Sequence, residues 1–317
     1  MLEIPTISIC IPAYKSTYYL KRLLDSIAIQ IYTNFEVVVT DDSPDDEVEK
    51  LCISYSDKYL LQYFKNASVL NTPENWNESI RKAKGKWIKL MHDDDWFSEK
   101  TCLQDFATAI EEKPEADFFF CAYTNSYEDT GRQQPMFLKS FWKKALNKEI
   151  NVLVSDNVIG PPSVTLHRNN GQIWYDRNMK YIVDIDFYIR YLQNRQPYYI
   201  KRSLINVGIN KAQVTKYTFG VADVHLKESM ILLDKTGEEQ FENMIVFDGW
   251  WRMMRNFSIK SKEDIYNSGF NGSVPDALLF IINFQKKIPG KLLRRGFVSK
   301  TLMSFCYLKF RGGSISS

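Results

Sequence analysis

The sequence predicts an α/β fold, a mostly parallel sheet flanked by helices, followed by a helical carboxyl-terminal region. Two short runs rich in β-branched residues (Thr6 to Ile11, Phe35 to Thr40) and a mostly apolar one (Lys86 to Met91) alternate with stretches whose apolar residues recur at helical spacing. Strands that alternate with helices are joined by right-handed crossovers, which gives a parallel sheet. From about Tyr217 that alternation ends and only helical patterns follow. The expected division is therefore an α/β domain over 1–216 and a helical region over 217–317.

Thr6 to Ile11 reads as a buried strand stopped by Pro12, and Leu20, Leu23, Leu24, Ile27 and Ile31 then mark a helix. Phe35 to Thr40 is a second strand, ending at Asp41-Asp42-Ser43-Pro44, where Ser or Asp can cap a helix over Glu47 to Ser56. Leu60 to Phe64 is a short third strand. Pro73 to Lys84 is helical, Gly85 stops it, and Lys86 to Met91 is the fourth strand. A helix over Glu99 to Glu112 and a strand over Asp117 to Tyr123 follow, then a polar surface loop from Asn125 to Gln134. After a less regular stretch, Ser163 to His167 reads as a strand. Ile185, Tyr188, Ile189 and Leu192 mark a helix with Asp184 at or just before its first turn, a position that the helix dipole favours for an acid. Val221 to Asp234, Glu238 to Phe257, Val274 to Lys287 and Lys291 to Phe310 are the later helices.

With 317 residues, 44% of them hydrophobic and 14% aromatic, the chain can bury a large core. A net charge of +3 is too small for a nucleic-acid binder. The five cysteines are widely spaced with no C-x-x-C, which argues against a disulfide framework or a zinc site and fits a reducing cytoplasm. The start has no signal-peptide pattern, and no apolar run is long enough for a spanning helix. Asp276 is the last acidic residue, and beyond it Lys and Arg interleave with aromatic and aliphatic residues. That pattern suits either a segment lying on the anionic inner face of a membrane or a packed helix with a solvated basic face.

In open α/β sheets, ligands bind beyond the carboxyl ends of the strands. Three polar clusters fall there: Pro12-Ala13-Tyr14-Lys15, Thr40-Asp41-Asp42-Ser43 and His92-Asp93-Asp94-Asp95. A Tyr can stack on a base and an Asp can accept from a base N–H. Consecutive carboxylates walled by Trp and Phe repel one another unless a divalent cation such as Mn²⁺ or Mg²⁺ neutralises them. On one rim, the three clusters outline a nucleotide-plus-metal site.

With these residues in place, the chain resembles a family 2 glycosyltransferase of the Rossmann-like GT-A fold over roughly residues 5–215. The resemblance rests on Ile7 to Tyr14, Val37 to Ser43, Asn75-Trp76-Asn77, Ala83 to Ile88, Met91-His92-Asp93-Asp94-Asp95 at the D-x-D position, and Asp184-Ile185-Asp186-Phe187 with Arg190. It implies a nucleotide-sugar donor, usually a UDP-sugar, inverting transfer, and a saccharide or lipid-linked saccharide acceptor, as in cell-surface polysaccharide synthesis. By the same resemblance, Pro12, Ala13 and Tyr14 hold the base with Asp42, Asn77 shapes the nucleotide pocket, and Asp93 faces the ribose or sugar. Asp94 or Asp95 binds the metal, and Asp184 is the general base with Asp186 as its rival. The sequence departs from the family in Ser43-Pro44, where a Gly is common, and in His92, where many members have the first acid of D-x-D. The Q-x-x-R-W signature of processive synthases is absent, which favours transfer of a single sugar.

No G-x-G-x-x-G or P-loop pattern is present. His167 reads as a strand or loop residue and His225 as a helix-surface one. Trp250-Trp251 with Met253 and Met254 reads as core. Asn210 to Thr215 stands where related enzymes have a mobile loop over the donor, and a plain surface loop is the alternative. A non-catalytic saccharide- or nucleotide-binding scaffold and a receiver-like phosphoacceptor are the rival functions.

Overall fold

A computed structural model describes residues 4–210 and 222–313. The chain forms two compact units, Met1–Lys143 with Ile159–Gln213, and Lys144–Val158 with Val214–Ser317.

The first unit is built on a sheet whose nine described strands are β1 Ile7–Ala13, β2 Phe35–Asp41, β3 Leu61–Lys65, β4 Trp87–Leu90, β5 Trp96–Phe97, β6 Phe118–Tyr127, β7 Gln133–Met136, β8 Thr165–Arg168 and β9 Tyr198–Ile209. Their order is β3-β2-β1-β4-β8-β6-β9-β5, with β7 on β6. β3, β2, β1 and β4 are parallel, and so are β6 and β9. β8 runs antiparallel between β4 and β6, while β5 and β7 add antiparallel edges. Helices α1 Thr17–Ala28, α2 Glu47–Ile53, α3 Glu74–Lys82, α4 Cys102–Glu112, α5 Ser140–Lys148 and α6 Val183–Leu192 accompany the strands in chain order. Ile9, Ile11, Val37, Val38, Val39 and Ile88 are fully buried. Each contributes roughly 1.5–3 kcal/mol relative to exposure.

Several sequence expectations are corrected. Pro12 does not stop β1, which pairs with β2 through Ala13. Pairing with β4 ends at Cys10, whose carbonyl accepts from Met91. The missing N–H of Pro12 therefore faces no partner strand. The polar stretch Asn125 to Gln134 is a surface loop only over 128–132, because its flanks belong to the β6–β7 hairpin, where Ser126 and Gln133 face each other and hydrogen-bond at 2.8 Å. β9, α5 and the two-residue β5 had no expectation. Gly85 is set by close approach: a Cβ there would lie 2.6 Å from Ser8 Oγ and 2.7 Å from Ser8 N. Its N–H donates to Ser8 Oγ (2.8 Å), while buried Glu36 accepts from Lys84 N and Ser8 Oγ, 2.6 Å each. That knot fixes where β4 begins.

The second unit packs Trp250, Trp251, Met253 and Met254 at 7% exposure or less, as core. Trp251 donates to Ser299 Oγ at 3.0 Å and its carbonyl accepts from Gln285 at 2.9 Å. The expected helix over Glu238 to Phe257 is interrupted at Asn243, whose side chain caps Met244–Asn256 by accepting from Ile245 and Val246 N–H. The expected terminal helix is two, Gly290–Leu293 and Gly296–Gly313. The five cysteines are free and buried. No helix among the described residues is long and apolar enough to cross a membrane.

Candidate functional site

The parallel strands end side by side. Asp42 N–H donates to the Ala13 carbonyl at 3.0 Å, and Lys15 N–H donates to Ser43 Oγ at 2.7 Å. Asn75 lies buried under both ends, its amide 3.3 Å from the Ala13 and Thr40 carbonyls. Ala13 is buried, whereas Tyr14 is half exposed with the Lys15 ammonium 4.9 Å from its ring centroid. The paired acids divide the work. Asp41 is fully buried, and burial pushes its carboxyl up. Hydrogen bonds from Ser43, Lys65 and Tyr63 outweigh that and hold it below the usual carboxylate range. Asp42 accepts from Asn66 Nδ2 at 2.8 Å, Leu70 N at 3.0 Å and Asn71 N at 2.8 Å, which anchors the 66–71 loop beside the rim. A carboxylate offers about four acceptor positions, so one remains for a ligand N–H. Asn77 exchanges hydrogen bonds with the Tyr175 backbone at 2.9 and 3.0 Å and also donates to Glu74. Both its amide hydrogens are used within the protein, where they tie α3 to the Tyr175 backbone and to Glu74.

The acidic turn follows β4. Asp93 sits against the Tyr14 backbone N–H, which brings the first and third clusters together. Burial, then the neighbouring Asp94 charge, pushes its carboxyl up to about 8. Asp94 accepts from Asn210 Nδ2 at 3.0 Å. Asp95 is 1% exposed and accepts from Gly208 N–H at 3.0 Å. Burial and Asp94 raise it well above the usual range. His92, Asp94 and Asp95 each present a ligand atom within 4.8 Å of the others. Burial pushes the pKa of the His92 imidazole down, and its Nε2 is buried without a hydrogen-bond partner. An imidazole beside two carboxylates is a donor set that fits a divalent cation.

Four residues outside the sequence expectations hold this turn. Arg22, on α1, donates to the Asp94 carbonyl at 2.7 Å and to Glu128 at 2.9 Å, with its guanidinium 3.7 Å from the Trp96 ring centroid. Gly208 allows no side chain, since a Cβ would come 2.3 Å from the Asp94 carbonyl oxygen. Ser163 Oγ accepts from His92 N–H at 2.9 Å. Lys89, fully buried in β4, donates to the Ser163 carbonyl, and burial pushes its ammonium down to about 8. The one signal in the sequence was a lysine inside the apolar run Trp87-Ile88-Lys89-Leu90.

Asp184 lies half-buried in the first turn of α6, its Oδ1 accepting from Ile185 N–H at 2.9 Å. Asp186 is fully buried and paired with Arg190 at 2.9 Å. Rings connect α6 to the acidic turn: Phe187 stacks on Tyr175 at 4.1 Å, Tyr175 meets Trp76 edge-on at 5.2 Å, and Trp76 lies 4.7 Å from His92. The expected loop from Lys211 to Thr215 lies outside the described residues. Asn210, at its start, is buried.

Residues 8–162 match the family model described as Glycosyl transferase family 2. The chain belongs to glycosyl transferase family 2. An uncharacterized glycosyltransferase of Rickettsia prowazekii is 24% identical over 278 residues, covering 81% of this chain and 82% of its own. One from Haemophilus influenzae is 23% identical, covering 89% and 86%. The crystal structure of S. aureus TarS 1-349 in complex with UDP-GlcNAc superposes with a TM-score of 0.65 at 18% identity, covering 97% of this chain and 92% of that one. The chain spans 55% of a longer TarS structure. A mannosyltransferase from Pyrobaculum calidifontis in complex with GDP-Man and Mn2+ gives 0.57 at 12% identity, covering 97% and 87%. This family 2 glycosyltransferase has the GT-A fold.

Proposed function

We propose that this glycosyltransferase moves a single sugar from a nucleoside diphosphate sugar, UDP-linked in the first instance, to a hydroxyl of a saccharide or lipid-linked saccharide, with inversion and with a divalent metal. The observation that carries this reading is the convergence of Tyr14, Asp42 and the His92–Asp94–Asp95 donor set on one strand-end rim. The similar structures named with UDP-GlcNAc and GDP-Man support a donor of this class.

Tyr14 presents an exposed ring for the base, and Asp42 keeps an acceptor position for a base N–H. Asp93, against the Tyr14 backbone, faces the ribose or sugar. Asp94 and Asp95 would hold the metal, Mn²⁺ or Mg²⁺, which when bound would neutralise charge on the diphosphate leaving group. Asp184 takes the proton of the acceptor hydroxyl as its oxygen bonds to the anomeric carbon and the sugar–diphosphate bond breaks. Asp186 is the weaker candidate, because a buried carboxylate already paired with Arg190 has no room for an acceptor.

The domain boundary near residue 216, action in the cytoplasm and a role in cell-surface polysaccharide synthesis belong to the same reading. Attachment to an anionic membrane surface is supported by the helix Gly296–Gly313, where Phe297, Phe305 and Leu308 are 87%, 52% and 66% exposed among Lys300, Lys309 and Arg311. Salt-sensitive sedimentation with phosphatidylglycerol vesicles, lost in the Phe297→Glu/Leu308→Glu double variant, tests it. Equal sedimentation of both proteins removes it. For the transfer itself, a panel of nucleotide sugars with Mn²⁺ is scored for donor binding by thermal shift and for nucleoside diphosphate release. Binding without release supports the scaffold instead.

A further inference from the structure

We infer that His92 is itself a metal ligand, making the centre a mixed nitrogen and oxygen site that prefers Mn²⁺ and later transition ions over Mg²⁺. The inference rests on the proposed metal-dependent reading and names a property that reading leaves open.

His92 follows directly on the strand end, where Met91 N–H bonds the Cys10 carbonyl and His92 N–H bonds Ser163 Oγ at 2.9 Å, so its backbone is held from two sides. Its ring lies 4.7 Å from the Trp76 ring, and its Nδ1 is 4.0 Å from Asp95 Oδ2. Two ligand atoms opposite one another on an ion at about 2.1 Å are roughly 4.2 Å apart, and adjacent ones about 3 Å. The separation from Asp95 already falls in that span. The other ring nitrogen, Nε2, is buried and takes no hydrogen bond. His167 Nε2 is likewise buried without a partner, so what sets His92 apart is its place beside Asp94 and Asp95. His167 and His225 lie outside the group.

An imidazole in place of a carboxylate changes the site in two ways. It lowers the ligand charge by one, which weakens a purely electrostatic hold on Mg²⁺. It also supplies a nitrogen donor, which suits Mn²⁺, Co²⁺ and Zn²⁺ increasingly along the first-row series.

The test uses Mn²⁺ alone with the whole protein. Paramagnetic resonance gives its affinity, and electron spin echo modulation reports nitrogen bound to the ion. The expected result is nitrogen modulation that changes to the ¹⁵N pattern in protein carrying ¹⁵N-histidine, is lost in His92→Gln and persists in His167→Gln. Mn²⁺ should bind tighter than Mg²⁺ by about tenfold or more, and His92→Asp should shrink that ratio. Bound Mn²⁺ without histidine nitrogen modulation overturns the inference while leaving a carboxylate metal centre standing. Absence of Mn²⁺ binding to the wild type overturns the metal-dependent reading and this inference with it. Isotope labelling of the wild type decides the matter even where His92→Gln does not fold.

Discussion

Arg22 donates to the main-chain oxygen of Asp94 at 2.7 Å from a helix 72 residues earlier in the chain. Its guanidinium is clamped between the Trp96 ring and Glu128, which also accepts from Tyr19 at 2.8 Å. The planar fork serves the carbonyl and the carboxylate at once, which an ammonium cannot reproduce. Arg22→Lys is therefore expected to weaken Mn²⁺ binding by about 10–100-fold, the usual cost of removing an outer partner of a metal site. Calorimetric titration checks it, and an unchanged affinity in a folded variant would remove Arg22 from the site.

Gly208 meets the same carbonyl beside Arg22. In Gly208→Ala the new Cβ would sit 2.3 Å from Asp94 O, so β9 or the acidic turn must move. The expected outcome is loss of metal-dependent donor binding and a lower melting temperature, measured by thermal shift with and without Mn²⁺. Retention of both would show that the turn is held elsewhere.

The two acids of α6 separate chemistry from stability. Asp184→Asn should lower turnover by about 10²–10⁴-fold with melting temperature and donor affinity preserved. Asp186→Asn leaves Arg190 without its buried partner and should destabilise by on the order of 2 kcal/mol. That is less than for a fully dry pair, because Arg190 keeps 26% of its side chain exposed. Denaturant unfolding and steady-state kinetics of both variants settle which acid does which.

His167 gives a pH dependence. Burial against Phe187 and Tyr191 pushes its pKa down to about 4 from 6.5. Between those values the unfolded chain binds a proton that the folded chain does not. Stability therefore falls as pH drops from 6.5 towards 4, by roughly 3 kcal/mol at full extent. His225, also pushed down to about 4 by burial, acts in the same direction. His167→Phe should keep the ring packing and remove its share of the slope, which unfolding midpoints at pH 4.5, 5.5 and 7 would reveal.

The strand ends and the acidic turn were legible because they are local: β-branched runs, a helical period and polar residues at a strand's last position. What stayed hidden depends on approach across the sequence. Arg22 is one of several charged residues on an amphipathic helix until Asp94 folds beside it. Gly208 looks like any strand glycine until Asp95 accepts its N–H across 113 residues. β9 escaped notice because Lys201 and Arg202 interrupt its apolar alternation, and only its pairing with β6 and β5 makes it a strand. Asn77 was expected to shape the nucleotide pocket, and its grip on Tyr175 could not be read from Asn75-Trp76-Asn77.

The most direct measurement is release of nucleoside diphosphate from a nucleotide sugar that stabilises the protein, comparing wild type with Asp94→Ala and Asp184→Asn in the presence of Mn²⁺. Turnover by the wild type, loss of Mn²⁺-dependent donor binding in Asp94→Ala, and intact binding with at least about 10²-fold slower turnover in Asp184→Asn are the predicted results. Turnover that survives both substitutions would contradict the assignment of the metal to Asp94 and of the base to Asp184.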